Sequence, residues 1–251
     1  MLANDLALAL DPARVMAGAG LPPDPWQADL LRARSDNVLM LCARQTGKST
    51  VTAALALHEA IYYPPALVLL LSPSLRQSQE LFRKVVDFWL MIDQPGPIKA
   101  TSALRMEWQT GSRIISLPGD EKTVRGYSGV SLLVIDEAAR VLDDLYYSVR
   151  PMLAVSGGRL LALTTPRGKR GWFYFEWHES QNDWQRVMVT AEDCPRISAE
   201  FLAEERAAMG DWWYRQEYMC EFVDLEDQIF SYDEVMAAIS ADVEPLFEVA
   251  T

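Results

Sequence analysis

Three cysteines occur in the sequence, Cys42, Cys194 and Cys220, widely spaced, odd in number and without a C-x-x-C pair. That scarcity argues against a disulfide framework or a cysteine zinc site and fits a reducing cytoplasm. No uninterrupted apolar run is long enough to span a bilayer, and no charged-then-apolar segment opens the chain at Met1, so neither a membrane association nor a secretory signal is expected. Internal repeats and low-complexity tracts are missing too. Basic residues are scarce near the C-terminus: residues 192–251 hold 16 Asp/Glu against 3 Lys/Arg, whereas residues 1–191 hold 19 against 20. The net charge of −12 is thus a property of the last quarter of the chain, and the near-neutral remainder is not barred from phosphate backbones. The acidic stretch itself reads as solvated surface or as an edge that meets another domain.

What is present is a full globular core. Half of the 251 residues are hydrophobic and 23% are charged, enough for one large domain or one domain with a small appendage. Residues 2–19 are Ala/Leu-rich and read as helical. After the rigid Leu21–Pro25 break, Asp24 can cap a helix from Pro25 to about Arg34. Four continuous apolar runs, Val38–Ala43, Leu67–Leu71, Leu132–Ile135 and Leu160–Leu163, predict buried parallel strands. Helices are expected from Lys48 to about Ile61 and from Leu75 to about Met91, the second capped by Ser72-Pro-Ser74. Alternation at Leu104, Met106 and Trp108, a turn at Thr110-Gly111 and then Ile114-Ile115 predict an antiparallel hairpin. Strands alternating with helices give an α/β fold with a central, mostly parallel sheet flanked by helices. The expected division is a core over residues 1–194, with a helical N-terminal extension, and an acidic helical subdomain over 195–251.

The strongest motif is Arg44-Gln45-Thr46-Gly47-Lys48-Ser49-Thr50, which follows a predicted buried strand and opens a predicted helix. A phosphate-binding P-loop needs that context. Gly47 lets the backbone approach an anion, the amides of residues 45–50 and the helix N-terminus face it, Lys48 would reach β- and γ-phosphates, and the Ser49 hydroxyl would ligate Mg²⁺. The usual first glycine is missing, and its position is Cys42, so the match is to the shorter Gly-Lys-Ser core. Arg44 has two readings, a nucleotide-sensing arginine or a partner of a surface carboxylate.

Eighty-eight residues beyond Lys48, the run Leu132–Ile135 delivers Asp136 and Glu137 to a strand end, a Walker B pattern. Asp136 would hold Mg²⁺ and Glu137 would orient the attacking water. A glutamate beside that aspartate, with the strand Leu67–Leu71 between the two motifs, points to the branch of P-loop proteins rich in motors and helicases, the RecA-like type with an added strand. Gln27 can read the donor and the acceptor of adenine, and Trp26 either stacks on the base or belongs to the core. Thr164 and Thr165, at the end of the fourth run, can sense the γ-phosphate. Arg167–Arg170 is a dense basic loop that would touch DNA phosphates or simply form a solvated turn. Arg125, eleven residues before Asp136, would reach a neighbouring subunit's ATP or form a surface ion pair.

The order of these motifs resembles the ATPase domain of tailed-phage large terminases over roughly residues 20–235. The matching residues are Pro25-Trp26-Gln27, Arg44–Ser49, the Trp108–Arg113 hairpin, Arg125-Gly126, Val134–Ala138, Thr164–Gly168 and Tyr214–Phe222. The resemblance implies an ATP- and Mg²⁺-dependent motor that drives double-stranded DNA into a procapsid. It implies a homo-oligomeric ring when assembled, a portal protein and a small terminase subunit as partners, and the host bacterial cytoplasm as the setting. It places Lys48 and Ser49 as phosphate and magnesium ligands, Asp136 and Glu137 as metal-binding and catalytic carboxylates, and Gln27 as the adenine reader. Thr164 and Thr165 then form the coupling motif, Arg125 acts in trans, and residues from about 195 to 230 form a lid. Terminases normally carry a nuclease domain next; this sequence stops at Thr251, so the chain alone is not expected to cut DNA. A helicase-like remodelling ATPase and a non-hydrolysing ATP-binding adaptor are the alternatives. The first lacks residues for a second RecA-like domain after Thr165, and the second has no use for Glu137.

Overall fold

A computed structural model describes residues 2–33, 35–119, 124, 126–178, 183–224 and 232–238. Three short helices come first: α1 (Leu2–Leu10), α2 (Ala13–Gly18) and α3 (Pro25–Arg32). They are followed by β1 (Asn37–Cys42), α4 (Lys48–Tyr62), β2 (Leu67–Ser72) and α5 (Leu75–Met91). Strands β3 (Ile98–Thr101), β4 (Arg105–Trp108), β5 (Arg113–Pro118) and β6 (Leu132–Asp136) come next. A 3-10 turn (Ala138–Arg140), α6 (Asp143–Val149), β7 (Arg159–Thr164), α7 (Gly171–His178) and β8 (Gln185–Val189) complete the layered part. The described C-terminal elements are α8 (Ala199–Glu217) and α9 (Tyr232–Ala238).

The strands form one sheet in the order β3-β4-β5-β2-β6-β7-β1-β8, parallel from β5 to β8 and antiparallel at β3-β4-β5. The apolar runs are continuous because both faces are covered. Val38, Met40, Val68, Leu70, Leu132, Val134, Leu161 and Leu163 point into the core under α1–α5. Their neighbours Leu39, Leu41, Leu69, Leu71, Leu133, Ile135, Leu160 and Ala162 join Tyr146, Trp172, Phe173 and Tyr214 on the other face. This is the period-2 alternation of a strand buried on two sides. The strand order sets the site. β7 lies between β1 and β6, so the ends of the P-loop strand and the Asp136 strand flank Thr164.

The α/β sheet expected from the apolar runs is present, with local departures. The strand interposed between β1 and β6 is β7, whereas Leu67–Leu71, which separates the motifs in sequence, lies on the far side of β6. The Ala/Leu-rich start is two helices, because Pro12 cannot continue α1 and the Asp11 carboxylate accepts the Ala13 N–H at 3.1 Å and pairs with Arg32 at 2.9 Å. Helix α3 ends at Arg32, short of the expected Arg34, since Ala33 is extended. The hairpin gains a third strand, β3, at the sheet edge. No described helix is long and apolar enough to cross a membrane.

Candidate phosphate site

The loop after β1 is turned toward an anion-receiving shape by its own backbone. Gln45 (φ 63°) and Gly47 (φ 95°) take left-handed conformations, which turn successive amides inward as a nest. Thr46 is buried, and its hydroxyl donates to the Ala43 carbonyl at 2.9 Å, clasping the loop across its base. Position 47 demands glycine twice over, by its φ and by space: a Cβ there would stand 2.7 Å from Gln27 Nε2. Helix α4 starts at Lys48, so its unpaired N-terminal amides and the positive end of its dipole face the same point.

Above this loop opens a cleft of about 970 Å³ lined by Gln27, Arg44, Gln45, Gly47, Lys48, Ser49, Thr50, Glu137 and, from elsewhere, Asp24, Gln77, Lys84, Arg140 and Arg196. Lys48 Nζ lies 3.5 Å from Glu137 Oε1, and Arg140 Nε lies 3.4 Å from Glu137 Oε2, so the carboxylate is bracketed by two cations. Glu137 itself is left-handed (φ 50°, ψ 44°), an uncommon and costly state for a non-glycine residue. It makes the chain turn sharply after β6 and returns the carboxylate over the cleft. Asp136, 6% exposed, ends β6, and one of its oxygens accepts the Glu137 N–H at 3.0 Å. Burial raises its carboxyl pKa to about 6, aided by the Glu137 charge and opposed by Lys48 and Lys84.

The other candidate residues fall around this centre. Buried Gln27 accepts the Asp24 N–H through Oε1 at 2.9 Å and sets its Nε2 against Gly47. Trp26 is partly buried, packs against the core under α3 and does not line the cleft. Thr164 and Thr165 are fully buried beneath it, and the Thr164 hydroxyl accepts the Ala139 N–H at 3.2 Å and donates to the Thr165 carbonyl at 2.7 Å. The end of β7 is thereby bonded to the turn that carries Glu137. Arg44 pairs with the Glu217 carboxylate at the end of α8, and its N–H donates to the Glu217 carbonyl at 3.1 Å. In the basic loop, Lys169 pairs with Asp224 at 3.4 Å. Arg125 lies outside the described residues.

The sequence reading missed Arg140, Lys84 and Arg196. Arg140 was within reach of a local rule, three residues beyond Glu137. Lys84 comes from α5, where its Nζ is 3.5 Å from the Thr50 hydroxyl, and Arg196 comes from 150 residues past Thr46. No spacing rule points to either.

Among the described residues no three His, Cys, Asp or Glu side chains converge on a ready-made metal cage. The donors beside the loop are one hydroxyl, Ser49, and one buried carboxylate, Asp136. That set suits a small dication that keeps several waters and takes its remaining oxygens from a phosphate.

A parallel α/β sheet with a nested loop, a lysine opening the next helix and paired carboxylates two strands away defines a P-loop nucleotide-binding domain. The chain belongs to the family described as terminase large subunit, T4likevirus-type, N-terminal, which matches residues 39–236. It is 23% identical over 248 residues to the large terminase subunit of Thermus phage G20c, covering 84% of this chain and 51% of that protein. The large terminase subunit of Escherichia phage T5 is 24% identical over 230 residues, 86% of this chain and 51% of that protein. The chain thus spans about half the length of these relatives. The fold matches the ATPase domain of the Thermus phage P74-26 large terminase with a TM-score of 0.72 at 21% identity, covering 83% of this chain and 97% of that one.

Proposed function

We propose that this chain is the ATP-hydrolysing motor domain of a DNA-packaging terminase, driving double-stranded DNA into a procapsid. The observation that carries the reading is Glu137, turned back by a left-handed backbone to stand 3.5 Å from Lys48 across the mouth of a phosphate nest. A domain that only bound nucleotide would need the nest and the lysine, but not a strained carboxylate opposite them. The amides of residues 45–50, with Lys48, hold the β- and γ-phosphates. Ser49 and Asp136 would hold Mg²⁺, which would supply charge stabilisation at the phosphate oxygens. Glu137 orients a water against the γ-phosphate and takes its proton. Gln27 reads the adenine edge, and Arg44, which the Glu217 carboxylate holds in the structure, would have to leave that partner to sense the phosphates.

Thr164 and Thr165 transmit loss of the γ-phosphate, since the Thr164 hydroxyl is bonded to the backbone of the Glu137 turn. The basic loop Arg167–Arg170 begins two residues further on. Assembly is proposed to be a homo-oligomeric ring in which Arg125 reaches a neighbour's ATP, mounted on a portal protein and supplied with DNA by a small terminase subunit in the host cytoplasm.

The test is Glu137→Gln, which keeps shape and removes the base. Turnover should fall by about 10²–10⁴, while affinity for a fluorescent ATP analogue stays within a few-fold of the parent. Turnover unchanged in that variant would remove Glu137 from the mechanism. Loss of nucleotide affinity together with turnover would reassign it to binding.

A further inference from the structure

Arg196 sits just before α8, in the segment Cys194-Pro195-Arg196-Ile197-Ser198, and reaches back to two separate parts of the cleft. Its Nη1 is 2.7 Å from both carboxylate oxygens of Asp24, and its Nη2 donates to the Thr46 carbonyl at 3.0 Å. Asp24 is the residue whose N–H is held by Gln27, and its side chain is only 11% exposed. Arg196 therefore joins three stretches that are distant in sequence: the base-side segment around residues 24–27, the phosphate loop, and the start of α8.

The chemistry of that junction is specific. A nest that turns its amides inward turns carbonyls outward, and an outward carbonyl left without a donor lets the loop relax. Arg196 supplies that donor from outside the loop, as Thr46 does from within. The same guanidinium neutralises a nearly buried carboxylate on the wall of a cleft meant for a highly anionic ligand. Without it, Asp24 would face the nucleotide as a like charge in a poorly solvated place. A planar, forked cation can serve the carboxylate and the carbonyl together, which the single ammonium of lysine cannot do with the same geometry.

We propose that Arg196 is a positioning residue of the nucleotide site, which holds the phosphate loop in its anion-binding shape and cancels the charge of Asp24, so that nucleotide affinity depends on the segment leading into α8. This rests on the nucleotide reading above. It gives residue 196 a role in binding and none in the chemical step. The Asp24 charge, in turn, becomes a liability whenever Arg196 is missing.

The experiment measures the dissociation constant of a fluorescent ADP analogue and the steady-state KM and kcat for ATP, with thermal melting as a check of folding. Arg196→Ala should weaken ADP-analogue binding by about tenfold or more and raise KM by a similar factor, with kcat staying within about twofold of the parent. Arg196→Lys should lie between it and the parent. The decisive variant is Asp24→Asn combined with Arg196→Ala. Asn caps a helix as well as Asp does, so α3 is preserved while the charge is removed. That double variant should recover a large part of the lost affinity, which a purely structural defect would not allow. Affinity within twofold of the parent in Arg196→Ala, or no recovery in the double variant, overturns the proposal. If the folded parent itself fails to bind the analogue, and Lys48→Ala changes nothing, the nucleotide reading fails first and this inference goes with it.

Discussion

Asp136 shows how far a single side chain can be pushed by its place in the sheet. It ends a strand buried on both faces, and its pKa rises from 3.8 to about 6 with burial as the largest cause and the neighbouring Glu137 charge next. The folded protein therefore holds this proton more tightly than the unfolded chain. The stability linked to it is present below pH 4, falls as pH rises toward 6, and stays lost at pH 7. A displacement of that size corresponds to roughly 3 kcal/mol as an upper figure. Asp136→Asn should therefore make the nucleotide-free protein more stable at pH 7, by about 1–3 kcal/mol, and much less so at pH 4. Urea unfolding at the two pH values checks this, and an equal or negative effect at pH 7 would show that the carboxylate is already compensated. The same variant should lose turnover, a stability–function conflict characteristic of sites that keep a charge under a roof. Glu137 and Gln45 tell a related story in the backbone, since both line the cleft and both carry a left-handed φ.

At the scale of elements, the four buried strands were readable because a strand covered on both faces needs an unbroken apolar run and little else. The P-loop and the Asp136-Glu137 strand end were readable because each is a local junction of strand, loop and helix. β8 escaped notice. It is an edge strand whose first four residues alternate between partly buried and exposed before Val189 enters the core, and it is held by its parallel pairing to β1. Helix α7 escaped because its Trp-Phe-Tyr-Phe-Glu-Trp run is apolar nearly all round and shows no helical stripe, although Trp172 and Phe173 are fully buried. Entry into β7 is controlled by Gly158. A Cβ there would stand 2.0 Å from the Val130 carbonyl oxygen, a backbone atom fixed just ahead of β6. Gly158→Ala must therefore part β6 from β7 and should cost about 3 kcal/mol or more. Differential scanning calorimetry would register this as a large fall in Tm, and a shift of only a degree or two would mean that the chain before β7 can move aside freely.

The whole molecule carries its charge unevenly, and the acidic C-terminal stretch is more than solvated surface. Glu217 pairs with Arg44 of the phosphate loop and Asp224 with Lys169 of the basic loop, so part of that acidity neutralises cations of the α/β layer instead of facing solvent. The proposed ring is tested by how activity depends on concentration. If Arg125 completes a neighbour's site, ATP turnover per subunit should climb with protein concentration, and Arg125→Ala should flatten the curve at its low-concentration value. A transition-state arginine is worth about 10³–10⁵ in rate, so even weak association would be visible. A specific rate that is non-zero and flat over a wide concentration range would mean that each subunit hydrolyses alone.

The sequence by itself determined the α/β class, the four central strands, the phosphate loop and the paired carboxylates, because each depends on residues within one turn or one strand of each other. Tertiary structure alone decided that Leu67–Leu71 lies beyond β6, since strand order is set by where crossovers pack and not by order in the chain. It also decided that Arg196 meets Thr46 and Asp24, and that Arg44 meets Glu217, contacts spanning 150 to 173 residues. Such pairs leave no periodic trace in a single sequence. They exist because folding brings an exposed cation from one end of the chain to a carbonyl and carboxylates that the other segments could not satisfy alone.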